Sequence, residues 1–174
     1  WTGFLFLGAQ ASRQERRNPR TTASGSITSG AVTHPEGDME KMGVFAQAEL
    51  IWSDKLTIIP GVRLDRTRLE PGAGVPAAAT VVKDTAASPK LAVMYAFNDH
   101  SVFGSVARTV RMPVLDEIYS RTNAAASNFN LNLKPEESDN LEAGFTLSLD
   151  GVLAQGDALR VKTTVFRNDV SNLI

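Results

Sequence analysis

The chain has 174 residues, no cysteine, two histidines, and 18 basic against 19 acidic side chains, for a formal net charge of −1. That balance removes the electrostatic case for nucleic acid, which needs a basic excess. A hydrophobic content of 43% excludes a disordered chain, and the missing cysteines exclude a disulfide scaffold or a thiolate metal site.

No stretch approaches the ~20 apolar residues of a membrane-spanning helix. Residues 1–8 lack the basic leader and cleavage site of a signal peptide. The chain opens inside a patterned segment and stops in one, so it reads as a fragment. Period-two alternation recurs throughout and predicts strands over residues 1–13, 41–52, 56–69, 88–97, 101–111, 138–150 and 159–168. Most match the ~9–11 residues of a tilted membrane strand and exceed the ~5–6 usual in soluble sheets.

The connections carry more information. Residues 14–40, 70–87 and 112–137 are long, whereas 53–55 and 98–100 are short and 151–158 is intermediate. Long and short alternate strictly, which puts tight turns at one end of the sheet and long excursions at the other. Outer-membrane barrels have this asymmetry, with short periplasmic turns and long external loops.

Parity agrees. In the second strand Val44, Ala46, Ala48, Leu50 and Trp52 share one face and Gly43, Gln47 and Glu49 the other. In the third, Leu56, Ile58, Pro60, Val62 and Leu64 oppose Thr57, Gly61, Arg63 and Asp65; in the sixth, Leu141, Phe145 and Leu149 oppose Asn140, Glu142 and Ser148. The polar face, rich in Gly, Ala, Ser, Thr, Asn and Gln, suits a crowded lumen.

Arg66, Arg108 and Arg167 are exceptions on the apolar parity, near the long-loop ends, where a cation reaches headgroups; a bulge at Arg108 is one way to shift its register. Trp1, Trp52, Tyr95 and Phe97 gather at the short-turn rim as an interfacial girdle. The expected fold is all-β, an antiparallel transmembrane β-barrel fragment. Seven strands cannot close a bacterial single-chain barrel, so they form an arc of a larger one.

Several segments resemble the TonB-dependent receptor family of Gram-negative outer membranes. They are the strand residues 43–47 (GVFAQ) followed by 56–65 (LTIIPGVRLD), the stretch 88–91 (SPKL), and the box 110–119 (VRMPVLDEIY). The box 130–136 (NLNLKPE), running into 142–144 (EAG), and the strand 165–174 (VFRNDVSNLI) complete the set. The resemblance implies roughly 22 barrel strands around an N-terminal plug. The chain would then supply part of the barrel, with the plug and terminal strands lying elsewhere.

The resemblance also implies an outer-membrane transporter, energised through the plug by the TonB complex, that imports an iron chelate such as a siderophore or haem. No resident cofactor is implied. The two boxes lean toward haem and other iron-source receptors. Here, however, residues 114–129 contain no His, although haem receptors of that branch commonly carry one between the boxes.

No catalytic set can be assembled, and the Gly-rich stretch from Gly72 to Gly74 lacks the context of a phosphate loop. The expectation is therefore a receptor and not an enzyme. His34, in a long loop, is either a ligand for haem or metal or a solvated side chain. Arg111 and Pro113 end the fifth strand at the mouth, where Arg111 either meets an anionic chelate or braces Asp116 or Glu117. Residues 114–119 are expected to form a short helical turn with Tyr119 facing the vestibule.

Asn130 and Asn132 of the second box complete the candidate ligand set. Glu49, Arg63, Asp65 and Glu142, on lumen parity, contact the plug or form a cross-strand network. Two alternatives stay open: a soluble β-sandwich binding module, which parity alone would satisfy, and a passive porin-like channel, which would share the loop alternation.

Overall fold

The computed structural model describes residues 1–21, 27–29, 34–73, 75, 79–120, 130–152 and 154–174. Gly74 and residues 121–129, between the two boxes, lie outside the described residues. Seven strands form one antiparallel sheet: β1 (Thr2–Arg16), β4 (Gly37–Trp52), β5 (Leu56–Pro71), β6 (Val82–Phe97), β7 (His100–Arg111), β8 (Glu136–Asp150) and β9 (Ala158–Ser171), each beside the next in that order. Two three-residue strands, β2 (Pro19–Thr21) and β3 (Ile27–Ser29), pair separately within the first long connection. A short helix, α1 (Leu115–Tyr119), follows β7.

The predicted strands are all present, and most extend further toward the long-loop end. β4 begins at Gly37, β6 at Val82 and β8 at Glu136. Those added residues (GDME in β4, VKDTAA in β6, EE in β8) set charges beside isolated apolar residues such as Met39 and Val82 and lack the repeating apolar face seen lower in the strands, yet backbone pairing continues through them. At the opposite end the chain reverses tightly. Ser53 and Asp54 adopt φ of 51° and 55°, and the Lys55 amide donates to the Trp52 carbonyl, matching the twist of the flanking strands. Asn98 begins the next reversal at φ 51°.

Two prolines shape the ladders. Pro60 has no N–H, and β4–β5 pairing skips Ala48 and Glu49 opposite it. Pairing of β6 with β7 runs only from Phe97 to Lys90 and stops at Pro89, so the upper part of β6 departs from β7. No bulge forms at Arg108: the β7–β8 register is continuous from Ser101 to Arg111, with Arg108 opposite Asp139.

Register fixes two faces. The outward one carries Leu5, Val44, Leu64, Leu91, Val106 and Leu141, all well exposed, with Trp1, Trp52, Tyr95 and Phe97 at its short-turn rim. Its apolar band gives way at the long-loop end to ions. The exceptions are therefore more numerous than the three arginines: Arg13 pairs with Asp38, Arg68 with Glu70, Arg108 with Asp139 and Arg167 with Asp169.

The inward face is polar but not uniformly so. Phe45 covers Gly8 and Phe103 covers Gly144 on neighbouring strands, and a Cβ at either glycine would sit within 2.5 Å of the ring. Each glycine thus gives a ring the room to lie flat on the wall.

Candidate functional site

The long-loop end of the inward face is built around α1. The chain leaves β7 at Arg111, and Pro113 turns it inward. Glu117 organises the start of the helix: one carboxylate oxygen accepts the Val114 N–H at 2.9 Å and the other accepts from Arg111 at 2.9 Å. Glu136 lies 3.6 Å from the same guanidinium. Asp116, one residue earlier, is ion-paired to Arg16 at the end of β1. The helix is thereby tied to two strands separated in the sheet by β4, β5 and β6.

Beneath those ties lies a small apolar core. Leu115, Ile118 and Tyr119 are buried against Leu69, with Met39, Val82, Leu131 and Leu133 packed around them. Burying each large side chain contributes about 1.5–3 kcal/mol, enough to hold a five-residue helix that could not persist alone. The Tyr119 hydroxyl donates within reach of two carbonyls, Leu69 at 3.1 Å and Thr80 at 2.7 Å. Burial pushes its phenol above the ordinary tyrosine value.

The helical turn expected from sequence is present, but Tyr119 does not face the vestibule. Its side chain is 1% exposed, because the helix lays its apolar side onto β4 and β5. Arg111 sits at the mouth and is half exposed, engaged with Glu117 as the bracing alternative requires. Pro113 is buried beside it.

Asn130 and Asn132 are exposed and alternate with Leu131 and Leu133, which turn toward the core; the Asn130 amide donates to the Ile118 carbonyl at 3.0 Å. The two boxes are thus brought together by α1. His34 is exposed on the far side of the first long connection, its carbonyl accepting from the Asn18 side chain at 3.3 Å.

Lower on the same face, Arg63 donates to both Asp65 oxygens at 2.6–2.9 Å and reaches Gln10 on β1 at 3.3 Å. Gly43 stands opposite Asp65, and a Cβ there would come within 2.5 Å of both partners. A cleft of about 300 Å³ connects this pair to Arg111 and is also lined by Lys41, Ser12 and Thr67. Lys41 was not apparent as a site residue from sequence, because it sat at a predicted strand end; register turns it inward opposite Ser12 and Thr67.

Glu49 and Glu142 lie on the inward face away from the cleft, opposite Phe4 and Ser105 respectively. Among the described residues no cluster of His, Cys, Asp and Glu has metal-ligand geometry. A wider groove of about 730 Å³ lies on the opposite, outward face, lined by Leu91, Val106 and Leu141 below Arg108 and Arg167.

A family model described as TonB dependent receptor-like, beta-barrel matches residues 1–174. A probable TonB-dependent receptor of Haemophilus influenzae is 35% identical over 72 residues, covering 41% of this chain and 8% of that protein. The heme/hemopexin utilization protein C of the same species is 44% identical over 45 residues, covering 26% of this chain and 6% of that protein.

Among solved structures, the copper transporter OprC superposes with a TM-score of 0.70 at 20% identity, over 98% of this chain and 28% of its own. A double mutant of the Serratia marcescens hemophore receptor HasR, in complex with its hemophore HasA and heme, gives 0.62 at 21% identity, over 98% of this chain and 34% of its own. The chain therefore spans under a tenth of these curated relatives and about a third of the solved chains, and these likenesses establish the barrel fold.

Proposed function

The chain belongs to the TonB-dependent receptor β-barrel family, and on that premise we propose that its parent is an outer-membrane receptor importing a scarce ligand with energy delivered through TonB. In this reading the seven strands are barrel wall, and β1 and β9 pair with further strands of the parent. A plug fills the lumen and carries the contact to TonB. Outer-membrane lipid covers the outward band. No catalytic role is assigned.

The observation that carries the reading is the division of one sheet into an apolar outward band and a polar inward face over which α1 is packed at the long-loop end. A passive pore would need an open mouth, and a soluble sandwich would cover the band with a second sheet.

Charge supports an anionic iron chelate as the ligand. Arg63, Arg111 and Lys41 share the inward cleft, and guanidinium and ammonium donors suit the carboxylate or catecholate oxygens of a ferric chelate or the propionates of haem. Similarity to a heme/hemopexin utilization protein supports the iron-source branch. In the test, the parent gene is deleted and cells are grown with inorganic iron, a ferric siderophore or haem as the single iron source. Growth should fail selectively on one chelated source at low concentration and return on complementation. Unchanged growth on every chelated source would remove the iron assignment.

A further inference from the structure

We propose that the outward face of β5 and β6 holds a binding site for the phosphate of an outer-leaflet lipid headgroup, built from Arg66, Thr85 and Lys83. The proposal rests on the outer-membrane reading above. Arg66 follows Leu64 on the outward face and stands opposite Thr85, so it marks the level at which the apolar band ends. One step further along the same face, Arg68 stands directly opposite Lys83. Like charges directly opposed across two strands destabilise a sheet.

Among the described residues that repulsion is only partly relieved. Glu70 takes Arg68 at 2.8 Å, and Glu40 lies opposite Arg68 on β4. Arg66 and Lys83 have no ion-pair partner among the described residues, and both are exposed. Elsewhere along this collar the arginines are matched within the sheet, as Arg108 is by Asp139 and Arg167 by Asp169. β5–β6 is the exception: Arg66, Arg68 and Lys83 share its outward face with one carboxylate, Glu70, and with Glu40 on the neighbouring β4.

Position selects the occupant. Long loops of such barrels lie outside, so this patch sits at the level of outer-leaflet headgroups. Leu64 and Ala87, on the same face just below it, continue into the band that acyl chains cover. A phosphate there can accept from the Arg66 fork, the Lys83 ammonium and the Thr85 hydroxyl while its lipid chains lie along the band. Free phosphate would gain only the polar half of that contact.

The test uses the full-length parent extracted from the outer membrane in detergent. Native mass spectrometry would measure retention of a bisphosphorylated glycolipid, its dephosphorylated analogue, and inorganic phosphate as competitor. Wild type should retain the phosphorylated lipid, and R66A/K83A should bind it about tenfold more weakly. K55A, the same kind of charge loss in the turn at the opposite rim, should bind as wild type. The dephosphorylated lipid should bind no better to wild type than to the double variant, and millimolar phosphate should not displace the lipid.

Equal retention by wild type and R66A/K83A, or displacement by phosphate alone, would overturn the lipid site. The same samples report on the barrel: a heat-modifiable band in the outer-membrane fraction with unchanged lipid retention sinks this site alone. Absence of that band sinks the barrel reading and this site together.

Discussion

Asp116 on α1 is ion-paired to Arg16 at the end of β1, one hundred positions away in the chain. Its neighbour Glu117 holds Arg111 on β7. Because β4, β5 and β6 lie between those two strands, a five-residue helix is suspended across the inward face at the mouth. The helix can leave the inward face only if both ties and the core beneath them yield.

The ties and the core should contribute unequally. Partly exposed ion pairs contribute about 0.2–1 kcal/mol each, whereas emptying a filled core site costs about 2–5 kcal/mol. D116N should therefore raise hydrogen exchange across residues 114–120 of the parent only slightly. I118A, at a side chain with no exposed surface, should raise it by at least an order of magnitude with the barrel still heat-modifiable. Equal effects would mean the ties, not the core, seat the helix.

Tyr119 makes docking pH-dependent in a defined direction. Its phenol is raised in the folded state, so the neutral form is favoured there. The stabilisation is fully present below the unfolded value of ~10 and is lost as pH rises through the folded value. Protease cleavage within residues 112–120 should stay constant to about pH 10 and increase above it. Y119F should remove that alkaline step, while loosening the helix at neutral pH by leaving the Leu69 and Thr80 carbonyls without their hydroxyl donor.

Arg111 can act on a ligand directly or through α1, and a double-mutant cycle separates the two. If its main contact is the Glu117 carboxylate, R111A and E117Q should be strongly non-additive in helix protection. If the guanidinium also meets an anionic ligand, R111A should lower ligand affinity of folded receptor by about tenfold beyond the E117Q effect. R111K should then restore little, because a point charge does not replace a fork.

Glycines on the wall should differ sharply in tolerance. At Gly144 a Cβ would lie 2.3 Å from the Thr163 carbonyl and 2.5 Å from the Phe103 ring, whereas at Gly104 the nearest atom is 3.4 Å away. G144V should reduce the heat-modifiable barrel on gels and G104A should leave it intact. Equal yields of the two would contradict the packing of Phe103 on the wall.

Strands, turns and loop alternation were legible because each strand repeats its parity over enough residues to outweigh exceptions such as Arg66. The upper ends of β4, β6 and β8 were not. Asp38, Lys83 and Glu137 lie on the face that is apolar lower in each strand, which breaks the parity there, and only their cross-strand partners make them strand. The helix at 115–119 was legible, but the direction of Tyr119 depends on Leu69 and Thr80, which no local pattern links to it. For the same reason the Arg16–Asp116 tie and the Phe rings over Gly8 and Gly144 appear only once register is known.

The most direct test of the whole account is sidedness in the membrane. Single cysteines at His34 and Asn132, both exposed at the long-loop end, and at Asp54 and Asp99, in the short turns, would be introduced into a cysteine-free parent. A membrane-impermeant maleimide should label the first pair on intact cells and the second pair only after the outer membrane is opened. Labelling of Asp54 or Asp99 on intact cells, with His34 and Asn132 protected, would contradict the orientation and the receptor mouth built upon it.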